Sequence, residues 1–106
     1  MAEVDTVWNG HDNAVELVLT EEGSAIDHRN ITRLQVMQVG DDLTLTVLAD
    51  SNIDTDAFTF TAGGLAMALG NLGIASGAYP YYLNVFGVDA PHGIIWEPLR
   101  ILNFVG

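Results

Sequence analysis

Apolar residues in this chain recur at every second position, and nowhere do they hold the 3.6-residue period of a helix for long. "NAVELVLT" sets Val15, Leu17 and Leu19 on one face and Ala14, Glu16 and Val18 on the other. "ITRLQVMQV" puts Ile31, Arg33, Gln35 and Met37 opposite Thr32, Leu34, Val36 and Gln38, and "LTLTVLA" sets Leu43, Leu45 and Val47 against Thr44 and Thr46. Successive side chains of a strand point to opposite faces, so a period of two calls for half-buried strands. Between them, "TEEGSAID" reads as a turn with a short return, and "GDD" at 40–42 as a tight hairpin turn.

The second half continues the pattern. "AFTFT" is a short strand with Phe58 and Phe60 on one face. In "GGLAMALGNLG" the good helix formers are bracketed too closely by Gly63, Gly64, Gly70 and Gly73 for a real helix, so a strand is expected, with one helical turn as the alternative. "YPYYLNVFG" and "GIIWEPLRILNFV" are two more strands joined by the turn-rich "VDAPHG", and Pro80 and Pro98 belong at strand starts, edges or bulges because proline lacks a backbone donor. About seven short antiparallel strands with turn signals between them predict an all-β sandwich over 13–106, preceded by an N-terminal arm or edge strand over 1–12.

One domain of 106 residues that is 49% hydrophobic has ample material for a packed core. Three arginines and no lysine stand against 14 acids, a formal net charge of −11. Nucleic-acid backbones and anionic membranes are attracted by Lys and Arg, so neither is an expected partner. The absence of cysteine excludes disulfides, zinc–thiolate sites and thiol catalysis. No apolar stretch is long enough for a helical membrane span, and the first residues lack the features of a secretory signal, so a soluble protein is expected.

One local motif sharpens the fold. In "ASGAY", Gly77 stands two residues before Tyr79 at the start of an aromatic strand. This resembles the tyrosine corner of immunoglobulin-like domains, which implies an Ig-like β-sandwich with Gly77 and Tyr79 as structural residues. Ala75 stands where an acid is common, and Tyr81 where a disulfide cysteine is common. The order of signals, from "VELVLTEEGSAIDHRNITRLQV" through "DTDAFTF" and "LGNLGIASGAYPYYLNVF" to the strand after "GIIW", also resembles small Ig-like virion proteins of tailed phages, of the head-decoration (cement) or tail and baseplate accessory type. That resemblance implies a non-enzymatic structural protein of the virion that binds the major capsid protein shell or other virion proteins. It also implies self-association, a trimer on a capsid symmetry axis being one form.

The stretch "DSNIDTDAF" places Asp50, Asn52, Asp54 and Asp56 at alternate positions. Asp50, Asn52 and Asp54 fit the first ligands of an EF-hand, but its sixth position needs Gly and holds Thr55, and its twelfth needs Glu and holds Thr61. Backbone-bonding Asp and Asn side chains in a turn account for the pattern; the four residues stay as candidates only for a looser calcium site, and no cofactor is expected. His11, His28 and His92 lie among loop-type residues without zinc spacing and read as surface histidines. "IDHRN" makes no triad, since neighbours on a strand face opposite ways and Ser24, Ser51 and Ser76 have no nucleophile elbow. "GGLAMALG" lacks the lysine of a phosphate loop. The expected contacts are Val7 and Trp8 in the N-terminal segment, Asp54 and Asp56 in the acidic loop, and Asp89 and His92 in the last turn. A carbohydrate-binding or adhesion module is the alternative, with Trp8, Tyr81, Tyr82 and Trp96 as a stacking platform and structural calcium in the acidic loop.

Overall fold

The computed structural model describes residues 3–106, the side chains at 3 and 97 excepted. Ten strands follow one another: β1 (Glu3–Trp8), β2 (Val15–Leu17), β3 (Thr20–Glu21), β4 (Ser24–Ala25), β5 (Ile31–Val39), β6 (Leu45–Asp50), β7 (Phe58–Phe60), β8 (Leu65–Met67), β9 (Gly77–Gly87) and β10 (Ala90–Val105). Single 3-10 turns at His28–Asn30 and Thr55–Ala57 are the only helical pieces among the described residues. One sheet has the order β1-β10-β9-β5-β6 and a second the order β2-β8-β7, while β3 and β4 form a small separate hairpin. The molecule is therefore a β-sandwich, as the alternation predicts, with ten strands among the described residues where about seven were expected. The first segment supplies β1, which pairs in register with β10 of its own chain, Glu3 opposite Arg100 through Trp8 opposite Val105. That pairing is parallel, whereas an all-antiparallel set was expected. Residues 1 and 2 of the predicted arm lie outside the described residues.

The core lies between the sheets. Val15, Leu17 and Leu19 face inward from the smaller sheet and its continuation, with Leu65, Met67 and Leu69. Leu34, Val36, Tyr81, Leu83, Leu102 and Phe104 face them from the larger sheet. Each such aliphatic or aromatic side chain, fully removed from water, contributes about 1.5–3 kcal/mol. The short turn between β3 and β4 has both central residues, Glu22 and Gly23, at positive φ, the geometry that matches strand twist in a two-residue hairpin.

Pro80 and Pro98 sit where their missing donor is harmless. Pro80 lies one residue beyond the last β5 partner of β9, and Pro98 falls in the register shift between Trp96 and Arg100. The predicted turn "VDAPHG" is shorter than expected, because Ala90 already pairs with Gly87 and opens β10. Gly77 has φ +147, a backbone shape that side chains disfavour. Two residues on, the Tyr79 hydroxyl donates a 2.6 Å hydrogen bond to the Ala75 carbonyl, closing a tyrosine corner, and its ring meets Phe104 edge-on at 5.3 Å. Tyr81, at the vacant cysteine position, is fully buried.

Candidate functional site: the outer face of the larger sheet

The outer face of the larger sheet carries exposed apolar side chains, and β1 brings part of them. Alternation along "EVDTVW" sends Val7 into the core and turns Val4 and Trp8 outward. Val7 is 1% exposed, Val4 59% and Trp8 49%. The expectation that Val7 contacts a partner is therefore overturned: its side chain is sealed between the sheets, opposite Phe104 in the register. Trp8 lies beside Val105 and Val4 beside Ile101, so the β1 and β10 strands present one apolar strip. Thr6 and Asn103 stand paired between them.

The end of β1 is held firmly. Asn9 donates through Nδ2 to the carbonyls of Ile74 (3.1 Å) and Gly106 (3.3 Å), and Gly10 N–H donates to the Gly70 carbonyl at 2.8 Å. Gly70 is needed for that approach, since a Cβ there would meet the Trp8 carbonyl oxygen at 2.4 Å and that of His11 at 2.5 Å. Trp8 is thus an exposed aromatic on a fixed backbone.

The acidic loop has a different role. Asp50, 2% exposed, ends β6 with its carboxylate accepting two bonds from the Arg33 guanidinium, one from Gln35 Nε2 at 3.0 Å and one from Asn52 N–H at 2.9 Å. Chiefly the Arg33 hydrogen bonds hold the Asp50 carboxyl far below the ordinary carboxylate range. Arg33 also lies over the Phe86 ring, 5.3 Å from its centroid. Asp54 turns back to accept from Asp50 N–H at 3.2 Å, while Asn52 and Asp56 are exposed. The alternate carboxylates do not converge: Asp50 is the buried partner of Arg33, and among the described residues no three His, Asp or Glu side chains gather to hold a metal ion.

Asp89 and His92 sit at the β9–β10 hairpin, the end of β10 away from Val105 and Trp8. Asp89 borders an open groove of about 560 Å³ lined also by Ile26, Arg29, Phe86 and Trp96. The predicted contact residues are therefore spread over three places and form no single surface. Nor do the four aromatics gather into a platform: Tyr81 is core, Trp8 faces outward from β1, and Trp96 stands opposite Leu83.

His28 corrects the surface-histidine expectation for that residue. It is fully buried, and Leu19 N–H donates to its Nε2 at 2.9 Å, tying the β2 continuation to the 3-10 turn. Its neighbour Asp27 accepts from Arg29 N–H at 3.1 Å and pairs with the Arg29 guanidinium, which holds the Asp27 carboxyl at about 2. The "IDHRN" run is a capped turn with one buried imidazole. A histidine among polar neighbours gives no local sign of burial; its inward aim follows from the turn, which only the fold reveals.

Family models, curated proteins and solved structures were all compared with the chain, and none of the three gave a match.

Proposed function

We propose that this chain is a non-enzymatic structural protein that docks on other proteins through the outer face of its larger sheet, and that its setting is the virion of a tailed phage, as a decoration protein on the capsid shell. The observation that carries the docking role is the strip of Val4, Trp8 and Val105, exposed on paired strands, with the far end of β1 pinned at Asn9. Rigid exposed tryptophans are the usual energetic centres of protein interfaces. The phage setting rests on the β-sandwich fold and on the resemblance of the sequence signals. An acidic body of net charge −11 suits a protein that stays dispersed until it meets a complementary surface. The mechanism is passive: apolar area and hydrogen bonds laid across subunit joints resist their separation.

The test is to purify particles of the phage or prophage that encodes the chain and quantify it by mass spectrometry, then to add purified chain to particles lacking it. The expected result is stoichiometric occupancy of tens of copies or more, and binding by Trp8→Ala weakened by at least about 30-fold, the effect of losing an interface centre. Absence of the chain from intact particles, or undiminished binding by Trp8→Ala, overturns the proposal.

A further inference from the structure

Among the described residues, the strand β6 is a sheet edge with no second strand paired to it. It stands last in the larger sheet, paired to β5 on one side only. Natural proteins guard such edges with lysine, proline, inward charge or a covering loop, because unpaired N–H and C=O groups invite another strand. From Leu43 to Ala49 this edge has no charge and no proline, in a chain of net charge −11. Leu45 is 38% exposed and Val47 45% exposed. They extend the outer-face residues Val39 and Met37, their register partners on β5. At the turn that leads into β6, Leu43 is 77% exposed and holds φ +62, a conformation costly for a leucine and one that presents its side chain to solvent.

The hydrogen-bond phase of the strand is fixed by its turn. Gly40 N–H donates to the Thr44 carbonyl at 2.8 Å, so in the alternation of an antiparallel pair Thr46 also bonds toward β5. Leu45 and Val47 then aim their backbone groups away from the sheet.

We propose that two copies of this chain associate through this edge, their β6 strands antiparallel about a two-fold axis at Thr46. In that register Leu45 of each copy exchanges two backbone bonds with Val47 of the other. Four apolar side chains meet on one face, and Leu43 lies opposite the Ala49 of the second copy. A second copy is the occupant because the edge is self-complementary, as any two-fold contact must be. It is also uncharged from Leu43 to Ala49, so two such acidic chains can touch along it without like charges at its centre. Antiparallel pairing sends the acidic turns, Asp41 and Asp42 of each copy, to opposite ends of the ribbon. At each end Asp42 of one copy comes opposite Asp50 of the other, and that Asp50 is already matched by its own Arg33. A basic partner would be drawn instead to the exposed acids of the loops.

The contact is small, so the dimer is a weak one, with a dissociation constant on the order of tens of micromolar. It also carries a signature: neutral at the contact and repulsive at a distance, it strengthens as salt screens the two bodies.

Sedimentation velocity on the full chain, from about 10 μM to about 1 mM and at low and high salt, tests this range. The expected result is a monomer–dimer equilibrium whose dimer fraction rises with salt. Val47→Lys abolishes the dimer, and Val4→Lys on the opposite edge leaves it intact. A monomer throughout, a trimer, a dimer weakened by salt, or a dimer that survives Val47→Lys overturns the proposal. Should Val47→Lys fail to fold, hydrogen exchange on the unaltered chain decides. Leu45 and Val47 amides that gain protection with concentration support the dimer, and constant protection refutes it.

Discussion

The two edges of the larger sheet are built on opposite plans. β1 carries Glu3 and Asp5, is pinned at its far end by Asn9 and by the close approach at Gly70, and lies against the longest strand of the molecule. β6 carries no charge until Asp50, and that residue is turned onto Arg33 of the neighbouring strand. One edge is guarded by charge and exposes its apolar side chains on the face; the other exposes its backbone. An acidic chain thereby keeps a neutral backbone edge through which it can meet its like, while the apolar face at Trp8 stays free for a different partner.

The anchor of β6 gives the largest expected effect. Asp50→Ala leaves the Arg33 guanidinium and Gln35 Nε2 without their acceptor. Breaking a buried pair costs about 3–5 kcal/mol, and because Arg33 is partly open to solvent the expected loss here is about 2–3 kcal/mol in urea denaturation. The same group sets an acid limb. Its folded pKa is depressed, so its contribution is complete above the ordinary Asp value of about 4 and is lost as pH falls below that. Asp50→Asn should flatten that limb; an unchanged acid profile would remove Asp50 from the role of anchor.

On the β1 side, Gly70→Ala forces a methyl against two backbone carbonyls and should cost about 2 kcal/mol, in the range of overpacking, with no change in the β6 contact. A loss equal to that of Asp50→Ala would erase the difference between the two anchors. The smallest effect is expected at the corner that supports both. Tyr79→Phe removes the bond to Ala75 but keeps the contact with Phe104, a loss of about 1 kcal/mol. A loss several times larger would mean that the corner, rather than the edges, governs the stability of the sheet.

Much of the fold was legible because its signals are local. Alternation placed Val15, Leu17 and Leu19 inward, glycine spacing excluded a helix at 63–73, and Gly77 with Tyr79 marked the start of β9. What escaped depends on pairing between distant segments. Leu43, Leu45 and Val47 share a face as expected, but a register shift between Val36 and Met37 turns that face outward, and nothing local in "LTLTVLA" announces a bulge. Asp50 and Arg33 are 17 residues apart, so the sequence reads the acidic loop as a turn with a loose calcium site as the alternative, and gives no sign that its first member is matched to Arg33. Val7 was assigned to an interface because "EVDTVW" reads as an arm until its parallel pairing with β10 is known. Of the candidate site, Trp8 alone was visible in advance; its neighbour Val105 is brought beside it by that same non-local pairing.

The parallel pairing of β1 with β10 has a mechanical consequence. Pulling Glu3 and Val105 apart along the strands would load the whole β1–β10 ladder in shear, all its bonds sharing the force at once, where a hairpin pulled from its open end would unzip bond by bond. Resistance to force is a matter of unfolding rate rather than equilibrium stability. A domain strained from its two flanks would therefore hold longest at the very seam that joins its first strand to its last.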